Sequence, residues 1–412
     1  MFNRFKNLLT MFQSPDDSVL GVDVGSAYLK VVQLRRKGGK AILETYGSLA
    51  LGPYAGIEIG RATHLPPDVI VGALRDLIRE AHVTSTRAAF SIPFTSSLVT
   101  TMDMRVLDQK QLATSVLLEA RKYIPVPISE VNLDWWIIPE ESKRISEAET
   151  RMDKPERISD AETQTGKPPL QENVNGQTVA PLSVPSSPDA LSLVNDEDVP
   201  KSMKILIAAI HNEALSRYQT IVKGIGLQSS FFEIELFSTI RSLFPHDLEP
   251  HAVLDLGAGE TKLYIIDRGL VRLSHVISHG GQDITLGISR SLGIIVAEAE
   301  KKKRAEGLQG PNDENTGATA ILNVIFGETN RVLSGFEHKF GRKVKEVILS
   351  GGGANLLGIE AFAQQNLLVP ARRADPFKQV EAPAFLDEVL QGIGPELTVA
   401  IGIAFRKLQE AG

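Results

Sequence analysis

One pattern occurs twice in this chain. The run Ala252-Val-Leu-Asp-Leu-Gly-Ala-Gly-Glu-Thr-Lys-Leu-Tyr-Ile-Ile266 restates the pattern of Val19 to Leu34. Each copy has an apolar strand ending in Asp-x-Gly, a tight turn, a second strand, a charged turn and a third strand. The two aspartates, Asp23 and Asp255, lie 232 positions apart. A single Asp-x-Gly turn reads as an ordinary hairpin. Two at matching strand ends predict two related α/β lobes facing each other.

The repeated turn suits an anion. Gly25, Gly257 and Gly259 let backbone N–H groups approach a ligand with no Cβ in the way. Successive N–H groups through Ser26 and Ala27, and through Ala258, form an anion-binding concavity. Ser26 and Thr261 can add hydroxyl donors, and Lys30 a positive charge for a phosphate. Asp23 and Asp255 could hold a hydrated Mg²⁺, which takes carboxylates together with waters and substrate phosphates. A third glycine cluster, Gly351-Gly352-Gly353-Ala354-Asn355, follows the apolar strand Val347 to Ser350 and precedes a helical run from about Leu357 to Gln365. Strand, glycines and helix could lie flat against a purine or ribose.

Composition narrows the class. Hydrophobic residues at 42% and charged residues at 23% are ordinary for a soluble globular chain. The net charge of −6 argues against a broad nucleic-acid footprint. There is no cysteine, so disulfides and thiolate metal sites are excluded. No run approaches the roughly 18 apolar residues needed to span a bilayer. Met1 to Phe12 carries Phe2, Phe5, Leu8, Leu9 and Phe12 at helical spacing, without the apolar core and cleavage site of a signal peptide. It reads as a frayed terminus or a helix docked on its own domain, or else as a short interfacial or partner-docking helix.

The periodicity divides the chain further. Residues 1–18 form an N-terminal tail, and 19–86 begin the first lobe with three strands and a helix over Pro67 to Ala81. Residues 87–139 form a small inserted subdomain: strands at Ala88 to Ile92 and Ser97 to Met104, a helix at Asp108 to Tyr123 with Asp108 as N-cap, and a strand at Val131 to Ile138. Residues 141–200 contain no aromatic residue and repeat Arg144-Ile-Ser-Glu-Ala-Glu-Thr150 as Arg157-Ile-Ser-Asp-Ala-Glu-Thr163. They read as a disordered insertion. Residues 201–250 complete the first lobe, with a strand at Met203 to Ile210 and helices from Glu213 and Glu233. Residues 251–412 form the second lobe and its nucleotide-binding subdomain.

Taken in order, the three glycine motifs resemble the phosphate-one, phosphate-two and adenosine motifs of the actin-like ATPase superfamily. Lys30, seven residues after Asp23, matches the same pattern. Ala297-Glu298-Ala-Glu-Lys301 looks like the Ala-Glu-x-x-Lys helix that contacts ribose in bacterial members. Leu118 to Ile128, ending in Asp134-Trp135, resembles the small subdomain of the PilM family of type IV pilus assembly proteins. His279-Gly280-Gly281-Gln-Asp-Ile-Thr285, Asp375-Pro376-Phe377 and Pro395 to Arg406 resemble further PilM-family segments. Glu260 departs from the pattern: relatives carry a small or uncharged residue there, and an inward carboxylate would weaken phosphate binding.

The resemblance implies an actin-like α/β fold that binds ATP with Mg²⁺ between the two turns, with adenosine against Gly351 to Ala354. Gly280, Gly281, Glu298 and Lys301 would contact the nucleotide, and Asp23, Asp255 and Glu235 would position a water or the metal ion. No distinct general base is evident, so slow hydrolysis or a binding-driven switch is expected. The implied partner is the cytoplasmic tail of a PilN-like inner-membrane protein, in a groove beside residues 87–139, with pilus motor ATPases as further partners. The implied location is the cytoplasmic face of the inner membrane. An FtsA-like division protein is expected to carry a C-terminal amphipathic helix after a linker, where this chain stops directly after its last helix. A sugar kinase of the same fold is expected to carry an additional catalytic aspartate motif that is not evident here.

Overall fold

The computed structural model describes residues 18–105, 109–138, 202–244, 248–309 and 316–410. The expectations for Met1 to Phe12, for Asp108 and for residues 141–200 lie outside these described residues. The chain divides into two compact units, one of Met1–Phe94 with Ser216–Gly412 and one of Thr95–Leu215.

The large unit opens with the first repeat. Strands β1 (Ser18–Val24), β2 (Tyr28–Lys37) and β3 (Lys40–Ala50) form an antiparallel meander. Helix α1 (Pro67–Glu80) follows. Pro67 occupies its first turn, where a missing N–H costs nothing. Ile70, Val71, Ala73, Leu74 and Leu77 form its buried face, the spacing that an amphipathic helix requires. Strand β4 (Arg87–Ile92) then pairs parallel to β1.

The small unit holds β5 (Ser97–Met104), α2 (Gln109–Ala120), β6 (Val131–Ile138) and β7 (Met203–His211). Its sheet order is β5-β7-β6, antiparallel throughout. Met102, Val116, Ala120, Ile205 and Ile207 are among the residues of its core. Trp135 packs against this core. Trp136, on the opposite face by strand alternation, is half-buried.

Helix α3 (Asn212–Ile225) carries the chain back across the boundary at Ser216. Strand β8 (Gln228–Ile234) joins β4 in parallel, and α4 (Glu235–Leu243) follows directly. The second repeat folds as β9 (His251–Leu256), β10 (Thr261–Asp267) and β11 (Leu270–Ile277). Helices α5 (Gly281–Leu292), α6 (Val296–Glu306) and α7 (Thr316–Phe340) come next. Strand β12 (Val347–Ser350), α8 (Ile359–Asn366), β13 (Ala371–Arg373), β14 (Val380–Glu381) and α9 (Asp387–Glu410) complete the described chain.

The two large sheets share one topology. The first runs β14-β3-β2-β1-β4-β8 and the second β11-β10-β9-β12-β13. With the short β14 set aside, each is an antiparallel meander of three strands extended by two parallel ones. The duplication read from the sequence thus extends beyond the hairpins to both parallel strands.

Helix α9 is apolar and long enough by composition to cross a membrane, but 67% of that window is buried. Its Leu397, Ala400, Ile401 and Ala404 pack with Val19, Val32 and Leu34, so it is a core helix of the first lobe. In the second lobe the core is formed by residues such as Leu254, Leu263, Ile265, Leu322, Phe326 and Phe336.

Three boundaries differ from the sequence reading: β14 and α9, expected in the second lobe, pack with the first. Strand β4 belongs to the first lobe's sheet, so the small unit begins at Thr95 and not at residue 87. Strand β7 is the central strand of the small sheet and not part of the lobe completion. The β4 and β7 runs are apolar at their centres, and a buried strand carries no label for the sheet it joins. The helix expected from Glu233 starts at Glu235, because residues 228–234 are a strand.

Candidate functional site

The site is built from the two hairpins. Asp23 on β1 faces Lys30 on β2 across the antiparallel ladder. The Lys30 ammonium donates to Asp23 Oδ2 at 3.2 Å, and Ser91 Oγ on β4 donates to Oδ1 at 3.0 Å. Asp23 is 5% exposed and both its oxygens are engaged. Burial alone would lower the Lys30 pKa, but the charges of Asp23, Glu396 and Asp255 outweigh it and raise the value.

The second hairpin reproduces this register with one more lysine. Asp255 and Lys262 are cross-strand partners at the same seven-residue spacing as Asp23 and Lys30. Here the ammonium leaves its aspartate. Lys262 Nζ is 3.8 Å from Asp255 and 2.6 Å from Glu235 Oε1. That Glu235 oxygen also accepts the Phe94 N–H at 2.6 Å. Glu260 approaches the same ammonium at 3.9 Å, so its carboxylate has a cationic neighbour. Burial would lower the Lys262 pKa, and Glu235 and Asp255 overcome it and raise it. Burial pushes Glu235 up against the pull of Lys262, with Asp255 and Asp23 adding to the push. The Phe94 ring stacks edge-on against Tyr264 at 5.4 Å.

The turns themselves keep donors available. The amides of Ser26 and Ala27, and of Ala258 and Gly259, donate to no other group among the described residues. The third glycine turn meets the second aspartate. Ser350 pairs with Asp255 in the parallel register of β12 and β9. Gly351 has φ +79°, and a Cβ there would stand 2.3 Å from Asp255 Oδ1. Only glycine permits both this backbone and this approach. Gly352 to Asn355 then form a 3-10 turn with Ala354 buried. A short segment joins the lobes: Thr63 N and Oγ1 donate to Ser26 O at 2.8 and 2.9 Å, and Ala62 N donates to Gln282 Oε1 at 3.2 Å.

Several sequence-assigned residues have other roles. Thr261 is fully buried and donates to His279 O at 2.8 Å, so its hydroxyl is committed within the second lobe. Gly281 N donates to Gly257 O and Gln282 N to Ala258 O, both at 2.9 Å, while Gly280 N bonds Asp283 Oδ2. The Gly280-Gly281 pair therefore docks α5 onto the second turn. A Cβ at Gly280 would stand 2.5 Å from Ala258 O. Glu235, expected to position a water or the metal ion, is buried and held by Lys262 and Phe94.

The inward-facing pair of this helix lies two residues beyond the expected one. Glu298 and Lys301 are exposed. The inner face of α6 carries Glu300 and Lys303. Lys303 Nζ donates to Gly281 O at 3.0 Å and to Thr285 Oγ1 at 2.7 Å, and Thr285 Oγ1 donates to Glu300 at 2.6 Å. Arg304 donates to Glu300 at 2.8 Å and to the Tyr28 hydroxyl of the first lobe. Ala299-Glu300-x-x-Lys303 has the same Ala-Glu-x-x-Lys spacing, and two residues turn a helix by about 200°. Burial would raise the Glu300 pKa, but Lys303, Thr285 and Arg304 hold it down.

Two duplicated α/β lobes with matched Asp-x-Gly hairpins and a third glycine turn define an actin-like ATPase fold. The chain belongs to the type IV pilus assembly protein PilM family, whose model matches residues 21–156 and 189–408. Among solved structures, a PilM-PilN type IV pilus biogenesis complex aligns at 22% identity over 95% of this chain and 98% of that one, with TM-score 0.69. The cell division protein FtsA of Neisseria meningitidis serogroup B is 24% identical over 216 residues, 46% of this chain and 51% of FtsA. The chain thus spans about half the length of this curated relative. MreB5 of Spiroplasma citri, solved bound to AMPPNP, aligns at 11% identity over 96% of this chain and 97% of its own, with TM-score 0.44.

Lys262, Ser91, Glu300 and Lys303 escaped the sequence reading. The repeated Asp-to-Lys spacing would have found Lys262, and the second Ala-Glu-x-x-Lys register would have found Glu300 and Lys303. Ser91 carries no such signal.

Proposed function

We propose that this protein is an ATP-binding adaptor of type IV pilus assembly, working at the cytoplasmic face of the inner membrane and binding the cytoplasmic tail of a PilN-like protein. The observation that carries the nucleotide half is the pair of hairpin turns with uncommitted amides, one beside Lys30 and the other beside Asp255. Uncommitted amides in a turn favour phosphate oxygens, and Lys30 adds positive charge.

The residues present fit Mg²⁺ with ATP. The Asp255 carboxylate makes no hydrogen bond among the described residues and would hold the hydrated ion, with Asp23 behind the other turn. Mg²⁺ would supply charge neutralisation at the phosphates. No group of three or more His, Cys, Asp or Glu that could hold a metal occurs among the described residues, so the ion would depend on water and phosphate for its other ligands. Glu235 is engaged by Lys262 and Phe94, which favours binding, or slow turnover, over fast hydrolysis.

Family membership supports the partner half, together with apolar side chains exposed on the small unit: Leu117, Leu118, Tyr123 and Ile137. Peptide tails dock by seating apolar anchors on such surfaces. The test is fluorescence anisotropy of a labelled PilN tail titrated with the full chain, with and without MgATP. Saturable binding whose affinity changes with nucleotide is expected. No binding under either condition would sink the adaptor reading.

A further inference from the structure

Among the described residues, the acidic side chain of Glu396 beside the third glycine turn makes no hydrogen bond and no ion pair. Glu396 lies in α9, directly after Pro395. The Pro395 carbonyl accepts from Gly351 N at 2.9 Å and from Ser350 Oγ at 3.3 Å, so this part of the helix is pinned to the third glycine turn. A Cβ on Gly352 would stand 4.0 Å from Glu396 Oε2. The carboxylate is half-buried. Its field is nevertheless felt by Lys30 and Tyr28 on β2. Burial raises its pKa, and Lys30 and Arg304 pull the other way. It therefore stands among groups of both lobes and the glycine turn.

The carboxylate is open to water and uncommitted among the described residues, so it is placed to accept from a bound ligand. An ionised carboxylate only accepts. The phosphates of a nucleotide also only accept, so they do not satisfy it. The donors of a nucleotide lie on its nucleoside half: the ribose hydroxyls and the amino group of the base. Acidic side chains that accept from ribose hydroxyls are a general solution to this problem.

We propose that Glu396 is the specificity-determining acceptor for the nucleoside, taking a hydrogen bond from a ribose hydroxyl or the base amino group. This rests on the nucleotide-binding reading above and adds to it a residue that no glycine motif marks. Of the other acids at the site, Glu300 is filled by Thr285, Lys303 and Arg304, Asp23 by Lys30 and Ser91, and Glu235 by Lys262 and Phe94. Asp255 is assigned to the hydrated metal ion in that reading, which leaves Glu396 for the nucleoside.

The test is calorimetry on the full chain with Mg²⁺, comparing ATP with 2′-deoxyATP, 3′-deoxyATP and inosine triphosphate. Wild type is expected to bind at least one of these analogues about tenfold more weakly than ATP, the effect of one hydrogen bond to a charged acceptor. Glu396→Ala should reduce that preference to within about twofold, and Glu396→Gln, which retains an acceptor, should keep part of it. Thermal melting of both variants checks the fold. Unchanged preference in Glu396→Ala overturns the proposal, as does a wild type indifferent to all three analogues. Equal tightening of every nucleotide in Glu396→Ala also overturns it, since the carboxylate would then merely oppose the phosphates. Wild type that binds ATP while any of these holds leaves the nucleotide reading standing. Wild type that binds no nucleotide sinks both.

Discussion

The two hairpins start from one pattern and end in different chemistry. In the first, Lys30 stays on Asp23, and Ser91 completes the aspartate's coordination. In the second, Lys262 turns to Glu235 and leaves Asp255 with a 3.8 Å contact. The difference is made outside both repeats, at the junction of β8 and α4. One acidic residue placed there draws the second hairpin's lysine into a buried tie between lobes. It also frees the second aspartate. Duplication therefore gives the lobes the same backbone, and residues outside the copies assign each turn its task.

The largest expected effect separates the two lysines. Lys262→Met removes the buried ammonium that faces Glu235, Asp255 and Glu260 together and should cost about 3–5 kcal/mol in urea unfolding. Lys30→Met leaves Asp23 with the Ser91 hydroxyl, so it should cost less stability while weakening nucleotide binding more. Equal stability losses would break the comparison.

Glu233 and Glu235 sharpen it at a second point, because they flank the same junction. Glu233 is held by Arg241 at 2.7 and 2.8 Å, by Arg406 at 2.8 Å and by Ser238 at 2.7 Å. Burial would raise its pKa, but Arg241 and Arg406 keep it below the ordinary 4.5. An acid with a lowered folded pKa contributes stability above its unfolded value and loses it as pH falls through the folded value. Glu233→Gln should therefore lower stability at pH 7 by about 2–4 kcal/mol. The gap from wild type should close as pH drops below 4.5. A gap that stays constant down to acid unfolding would contradict the assignment.

Next in size is Gly351→Ala. Its φ of +79° and the 2.3 Å approach to Asp255 predict a loss of about 1–3 kcal/mol and a displaced carboxylate. The matching change in the first turn, Gly25→Ala, meets only Tyr28 O at 3.0 Å and should be milder. Differential calorimetry of the two variants checks the order.

The smallest effect tests the register of α6. Lys301→Ala should stay within about 0.5 kcal/mol of wild type, as exposed surface changes do. Lys303→Met breaks contacts to Gly281, Thr285 and Glu300 and should cost about 1–3 kcal/mol. The reverse order would restore Glu298 and Lys301 as the inward pair.

Much of this was legible in the sequence. The repeated Asp-x-Gly unit foretold two lobes, because strand periodicity and turn chemistry are local. The third glycine cluster followed a strand as read. What escaped depends on side-chain direction and long-range pairing. Thr261 looks like a phosphate ligand until the strand turns its hydroxyl to His279. Glu298 and Glu300 are equivalent on paper, and only the start of α6 decides which faces inward. Glu235 reads as a residue that positions water or the metal ion, because nothing local reveals that Lys262 reaches it across the lobes. Strand β8 was missed because Phe231, Phe232 and Ile234 run directly into a helix with no turn residue between them.

The most direct test of the central claim is calorimetric titration of MgATP into wild type, Asp23→Ala and Asp255→Ala. Micromolar affinity in wild type, strongly weakened in both variants and most in Asp255→Ala, is the predicted result. A well-folded wild type that binds neither ATP nor ADP would contradict it, leaving the duplicated hairpins as scaffold alone.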